Sequence, residues 1–215
     1  MLLMALTLVI GYVIGMFQTG YLVGKYYGID IREHGSKNAG MTNVNRMLGK
    51  FPALVVFVFD VLKAVLAFVL VPIVLFDASW SFGAWSHIFH EEAAPQNIFP
   101  LLSGLGAILG HNFPFFLKFR GGKGISCTLG IILMLDWQVA LLAFAVGFVV
   151  VAVFRYISLA SLAITLVWPV LLLIFGLDAE VILLAAAISG LAWFMHRDNI
   201  GRLLSGTERK FKLGK

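Results

Sequence analysis

Six long apolar runs, roughly Leu2–Gly24, Phe51–Phe76, Ile98–Leu117, Trp137–Phe154, Leu159–Gly176 and Val181–Met195, restrict this 215-residue chain more than any other feature. Each approaches the ~20 apolar residues that a helix needs to cross a bilayer. Backbone in hydrocarbon must satisfy its own N–H and C=O groups, and runs this continuous do so as helices. Only 13% of the residues are charged, where a soluble domain carries about 25%, and 60% are hydrophobic. Those figures exclude a soluble enzyme, a disordered chain and a collagen-like one. One domain covering residues 1–215 is expected, because the helices of a small bundle share one interior and no hydrophilic stretch is long enough to fold alone. Met1–Gly24 opens without a basic stretch or an A-x-A-like cleavage site, so it reads as a retained first span rather than a signal peptide. The single cysteine, Cys127, excludes an intramolecular disulfide and a cysteine-based zinc site and reads as a small apolar filler.

A further apolar piece of about 11 residues lies between Gly124 and Asp136, short for a crossing. Charge settles how it is counted. The loop Lys25–Lys50 holds five Lys/Arg, the loop Leu117–Gly124 three, and the tail from His196 six. Asp77–Asn97 holds none and carries Asp77, Glu91 and Glu92, while Asp178 and Glu180 separate the last two runs. Basic loops stay in the cytoplasm, so the three basic segments belong inside and the two acidic ones outside. Six crossings cannot meet this pattern, whereas seven place Arg155 inside and satisfy every loop. The expected fold is therefore all-α: a polytopic integral membrane protein of seven transmembrane helices, amino terminus out and carboxyl terminus in. Within it, the net charge of +5 reflects topology and attraction to anionic lipid or phosphate rather than nucleic acid.

The chemistry concentrates in the basic segments. The first reads Gly35-Ser36-Lys37-Asn38-Ala39-Gly40-Met41-Thr42-Asn43-Val44-Asn45-Arg46. Its glycines let backbone N–H groups turn toward a ligand, and Ser, Asn, Thr, Lys37 and Arg46 add donors and charge. That set suits a phosphate held in a backbone nest, with Asn43 near the start of a short helix ended by Gly49; a flexible hydrophilic linker is the alternative. The second segment runs from Gly110-His111-Asn112-Phe113-Pro114 to Lys118-Phe119-Arg120-Gly121-Gly122-Lys123-Gly124. Here glycines permit close backbone approach to an anion with Lys123 as a point charge, although the spacing is not that of a Walker A loop. In the tail, His196 and Asn199, and Asn199 and Arg202, lie one helical turn apart, so one face presents several donors; a stop-transfer tail is the alternative.

Other residues read more plainly. Asp60 and Lys63, at i and i+3 inside the second run, are expected to pair with each other, holding helices or bordering a polar site. Gly106 and Gly110 are spaced for close helix packing. His87 and His90 have metal-like spacing without enough further ligands for a zinc site. Asp136 reads as a turn residue, and Trp80, Trp85, Trp137 and Trp193 as interfacial residues.

Taken in order along the chain, Gly35–Gly49, Gly110–Gly130 and His196–Phe211, with Asp60-Val61-Leu62-Lys63, resemble the three motifs of the PlsY family of membrane acyl-phosphate:glycerol-3-phosphate acyltransferases. That family commonly reads G-S-G-N-x-G-A-T-N in its first motif, where this chain has Lys37 for the middle Gly and Met41 for the Ala. Ala64 stands where a Gly often follows the Asp-x-x-Lys element. The resemblance implies transfer of a fatty acyl group from acyl phosphate to the 1-hydroxyl of glycerol 3-phosphate, giving lysophosphatidic acid and phosphate for phospholipid synthesis. It implies a bacterial cytoplasmic (inner) membrane location with the site on the cytoplasmic side, no metal or organic cofactor, and as a protein partner the enzyme that forms acyl phosphate. Carried onto this sequence, Ser36, Lys123, His196 and Asn199 are the expected catalytic residues. Asn38, Thr42, Asn43, Arg46, His111, Gly121, Gly122, Gly124, Arg197 and Arg202 are the expected substrate-binding residues, with His111 orienting the second motif. His196 and a substrate phosphate oxygen both stand as candidates for the base. Thioester-dependent acyltransferases of the commoner kind carry His-x4-Asp, and no His here has Asp five positions on. A small transporter or channel for phosphate-bearing anions is the rival from another class, disfavoured because the polar residues gather in loops on one side.

Overall fold

The computed structural model describes residues 1–75 and 98–211. The acidic segment Asp77–Asn97, with Trp80, Trp85, His87 and His90, lies outside the described residues, as do residues 212–215. The described residues form helices and turns, in two units that meet between Leu135 and Asp136.

The first unit, Met1–Leu135, contains α1 (Leu2–Gly15), α2 (Thr19–Tyr26), α3 (Met41–Leu48), α4 (Lys50–Leu75), α5 (Ile98–Asn112) and α6 (Ile125–Leu135). α1 and α2 read as one span broken at Met16–Gln18, and their outer residues Leu2, Val9, Val13, Phe17 and Leu22 are exposed as a lipid-facing helix requires. α1 packs on α5 at backbone contact. A Cβ at Gly11 or Gly15 would strike the carbonyl of Ser103 or Ala107, and one at Gly106 or Gly110 the carbonyl of Leu8 or Tyr12. Four glycines thus set the crossing, with Gly106 and Gly110 in the packing role their spacing suggests. α4 packs on α1, α3, α5 and α6 and buries Asp60 and Lys63 on its inner side. Cys127 is fully buried on α6.

The second unit, from Asp136, contains α7 (Trp137–Phe154), α8 (Ile157–Ile174), α9 (Ala179–Met195) and α10 (Arg197–Leu204). Asp136 is more than a turn residue: its Oδ1 accepts the N–H groups of Gln138 at 2.8 Å and Val139 at 2.9 Å, capping α7. α7 and α8 pack face to face, with Gly147 against Ile164, and α8 packs on α9. Trp137 and Trp193 are both exposed.

Among the described residues, five helical segments are long and apolar enough to cross a membrane: Leu2–Tyr26, Lys50–Leu75, Ile98–Leu117, Trp137–Phe154 and Ile157–Ile174. A sixth is reached if α9 and α10, bent by 61° at His196, are counted as one. The expected seventh, α6, has 11 residues. At 1.5 Å per residue it spans about 16 Å, roughly half of a ~30 Å hydrocarbon core.

Candidate functional site

The first polar loop is fastened from beneath by one side chain. Asn43, fully buried at the start of α3, accepts the Ser36 N–H on Oδ1 at 2.8 Å. Its Nδ2 lies 3.0 Å from each of the carbonyls of Ile31, His34 and Asn38. Asn43 thereby bonds to the chain itself at both ends of its amide and holds the loop's shape. Asn38 Oδ1 closes a tight turn on the Gly40 N–H at 2.8 Å. Gly35 has φ +63°, and a Cβ there would meet Asn43 Oδ1. Lys37 adopts φ +57° and is exposed, so the loop keeps a left-handed residue although the glycine of the family pattern is missing. Ser36 and Arg46 are exposed and Thr42 half-buried, over a small core of Ile31, Ala39, Val44, Ala53 and Val56.

Two residues that the sequence reading passed over join this loop to the next. Asp30 accepts Arg32 at Nη2 (2.8 Å), Nε and the backbone N–H. The Arg32 hydrogen bond holds the Asp30 carboxyl down at about 2. Arg32 stacks 4.7 Å from the Tyr21 ring centre, and its Nη1 donates to the Leu117 carbonyl at 3.2 Å. The signal was present as an Asp-x-Arg pair just before the motif, but its partner is 85 residues away.

The second polar loop folds back onto the end of α5. The His111 carbonyl accepts the Gly122 N–H at 3.0 Å and the Asn112 carbonyl the Gly121 N–H at 3.1 Å. Gln18, in the break between α1 and α2, donates to the His111 carbonyl at 2.9 Å and braces the same point. A Cβ on Gly121 would hit the His111 carbonyl, and one on Gly122 the His111 imidazole. The close approach that these glycines permit is therefore to His111 of the same chain. Gly124, at φ +78°, leads into α6, and Lys123 lies between them, half-buried. The first-turn N–H groups of α6 begin right after it, the arrangement in which a helix presents donors to an anion.

Behind this loop, inside the span, Lys63 Nζ lies 2.6 Å from the Phe17 carbonyl, 2.8 Å from Asp60 Oδ1 and 2.8 Å from His111 Nδ1. Thr19 Oγ1 donates to Asp60 Oδ1 at 3.3 Å. The expected Asp60–Lys63 pair forms, and His111 is its third member.

In the second unit the third motif is organised by Glu208, a residue to which the sequence reading gave no role. Glu208 Oε1 accepts Asn199 Nδ2 and Ser158 Oγ, both at 2.8 Å, and Oε2 accepts Arg202 Nε at 2.6 Å. Burial pushes the Glu208 carboxyl up, but the bonds from Asn199, Arg202 and Ser158 outweigh it and leave it below its ordinary value. As its helical spacing suggests, Asn199 shares a face with Arg202, and the carboxylate locks both. His196 is buried, and its Nδ1 lies 2.7 Å from the Ala192 carbonyl. The carbonyl can only accept, so that contact assigns a proton to Nδ1. Arg197 is exposed, bonds the Phe194 carbonyl at 3.2 Å and stacks on the Phe194 ring.

Comparison with known proteins gives one answer. A family model described as glycerol-3-phosphate acyltransferase matches residues 5–206, across both units. A glycerol-3-phosphate acyltransferase of Thermoanaerobacter sp. (strain X514) is 37% identical over 206 residues, 95% of this chain and 94% of that one. One from Trichormus variabilis is 40% identical over 94% of this chain and 89% of its own length. The crystal structure of PlsY (YgiH), an integral membrane glycerol 3-phosphate acyltransferase, in its glycerol 3-phosphate form superposes with a TM-score of 0.82 at 32% identity, covering 97% of this chain and 96% of that one. Its lysophosphatidic acid form gives a TM-score of 0.80 at the same identity.

Proposed function

Because this chain belongs to the glycerol-3-phosphate acyltransferase family and is an enzyme that acylates glycerol 3-phosphate, we propose that its acyl donor is acyl phosphate and its products are lysophosphatidic acid and inorganic phosphate. The observation that carries this reading is the Gly121–Gly124 loop, pinned by His111 with Lys123 ahead of the α6 N-terminus. Such a loop suits a phosphate, and both proposed substrates carry one. Acyl phosphate is already an activated mixed anhydride, so no covalent nucleophile is required of the protein. Holding the hydroxyl against the carbonyl carbon contributes about 7–11 kcal/mol. A fixed donor at the developing oxyanion contributes about 3–4 kcal/mol more.

In this reading Lys123 and the N–H groups of Gly124 and the first turn of α6 bind phosphate, on a loop whose shape the Gly121 and Gly122 bonds to Asn112 and His111 hold. Ser36, Thr42 and Arg46 position the second anion or polarise the carbonyl, with Asn38 and Asn43 holding their loop. His196, Arg197, Asn199 and Arg202 supply further phosphate contacts, with Glu208 aligning the last two. His196 and a substrate phosphate oxygen compete as the acceptor of the hydroxyl proton. The two units work as one acyltransferase domain.

We further propose seven crossings, with α6 as the short one, the amino terminus outside and the three motifs on the cytoplasmic face of a bacterial inner membrane. The distribution of Lys and Arg supports this arrangement. The enzyme that forms acyl phosphate is the proposed protein partner. Supplying acyl phosphate, acyl-CoA and acyl-carrier protein separately to purified enzyme with glycerol 3-phosphate, in chelator, tests the donor. Product from acyl phosphate alone is expected, and product from a thioester alone refutes it. Cysteines placed singly in each loop of a Cys127→Ser background and probed from either side test the orientation.

A further inference from the structure

The buried charge pair on α4 reaches the phosphate loop through a single imidazole. Lys63 Nζ has three short partners: the Phe17 carbonyl, Asp60 Oδ1 and His111 Nδ1. An ammonium is donor only, so the contact of 2.8 Å to Nδ1 requires a lone pair on that nitrogen, which puts the His111 proton on Nε2. Asp60 Oδ1 stands 3.6 Å from Nδ1, beyond a hydrogen bond, so the atom bonded to Nδ1 is Lys63 Nζ. The other end of the ring faces the loop: of the His111 atoms, Nε2 is the one nearest to where a Gly122 Cβ would stand. The His111 backbone carbonyl meanwhile holds the Gly122 N–H.

A buried ion pair contributes little net stability compared with apolar residues of the same size, and inside a membrane span it is costly. Holding helices together is therefore a weak reason for Asp60 and Lys63, whereas orienting a donor at the loop is a specific one. We propose that Asp60 and Lys63 are positioning residues of the acyl transfer, which hold His111 as the Nε2–H tautomer so that this proton is presented, as a neutral hydrogen-bond donor, to substrate at the Gly121–Gly124 loop. The inference rests on the reading of that loop as the phosphate site. It carries a definite corollary: with its proton on Nε2, His111 donates toward the loop and does not accept the hydroxyl proton there.

The test uses full-length enzyme in lipid nanodiscs, with 15N-labelled histidine and the His111→Gln variant to identify the His111 signals. Wild-type His111 should show one protonated and one bare nitrogen, with the proton on Nε2. Lys63→Met alone strands the Asp60 charge and is liable to misfold, so the informative variant is Asp60→Asn/Lys63→Met, which removes both charges. In monodisperse double variant, His111 should become a mixture of tautomers and kcat should fall about ten- to hundredfold, the scale seen when a metal-bound histidine loses the partner that orients it. KM for glycerol 3-phosphate should move much less. A wild-type proton on Nδ1, or a double variant with wild-type kcat, overturns the inference. Lys123→Ala run in parallel separates the two readings. An impaired Lys123→Ala beside a fully active double variant overturns this inference alone, whereas wild-type turnover in Lys123→Ala removes the phosphate-loop reading and the inference with it.

Discussion

Asn43→Ala should loosen the first polar loop without unfolding the bundle. The substitution deletes one accepted bond and an amide shared among three carbonyls, leaving the Ser36 N–H and the carbonyls of Ile31, His34 and Asn38 to find new partners. A buried group left unpaired costs about 1–3 kcal/mol, and an ordinary bond is worth about 1 kcal/mol net. Three of the four bonds are only partly buried, and water can replace some of what is lost there. The local penalty should therefore fall near 2–4 kcal/mol. It acts on a loop and the short helix α3, not on the spans, so helicity and the main thermal transition should stay close to wild type. Amide exchange at Ser36 and across α3 should accelerate strongly in the absence of substrate, and turnover should drop. If Asn43 instead served only as a ligand contact, the variant would lose activity while its substrate-free exchange matched wild type. That result would refute the argument.

Gly122→Ala should abolish most turnover, because the new methyl group must displace the His111 imidazole; a variant with normal kinetics would mean the loop does not pack as described. Lys37→Gly should be neutral or stabilising by up to ~1 kcal/mol, since it relieves a left-handed L-residue at some gain in unfolded-chain freedom, and thermal unfolding in detergent will measure it. Glu208 has a depressed carboxyl, so the stability it lends the third motif is present above its ordinary value of 4.5 and is lost as pH falls through the lower folded value. Exchange protection of α10 should thus be flat from neutral pH down to about 5 and decline only in stronger acid, and Glu208→Gln should remove that acid limb. Protection that already fails at about pH 6 would contradict this.

The spans were legible because hydropathy over about 20 residues is a signal that needs no partner. Asp136 was legible as a boundary for a similar reason, since a cap is written within three residues of sequence. Length made α6 ambiguous: 11 apolar residues suit a thinned crossing or a buried helix equally well. The site was legible as a set of motifs and less so as a division of labour. Asn43 looks like a donor in a phosphate nest, and only the backward reach to His34 and Ile31 reveals it as a fastener. The glycines at 121 and 122 look like room for an anion, yet the space they leave is filled by His111, ten and eleven residues earlier. Glu208 is one of two acidic residues in a basic tail, and its bonds to Asn199, Arg202 and Ser158 follow no local spacing that would reveal them.

The glycine crossing of α1 and α5 has a practical bearing on how this enzyme can be engineered. An amino-terminal segment that merely anchored the chain would tolerate exchange for any stock leader of equal greasiness. Here the backbone at Gly11 and Gly15 rests on that of Ser103 and Ala107, so a leucine-rich graft would wedge the two helices apart. It would also shift Gln18 and the Phe17 carbonyl, on which the His111 end of α5 and Lys63 depend. The opening helix is a fitted component, and expression tags belong ahead of it rather than in its place.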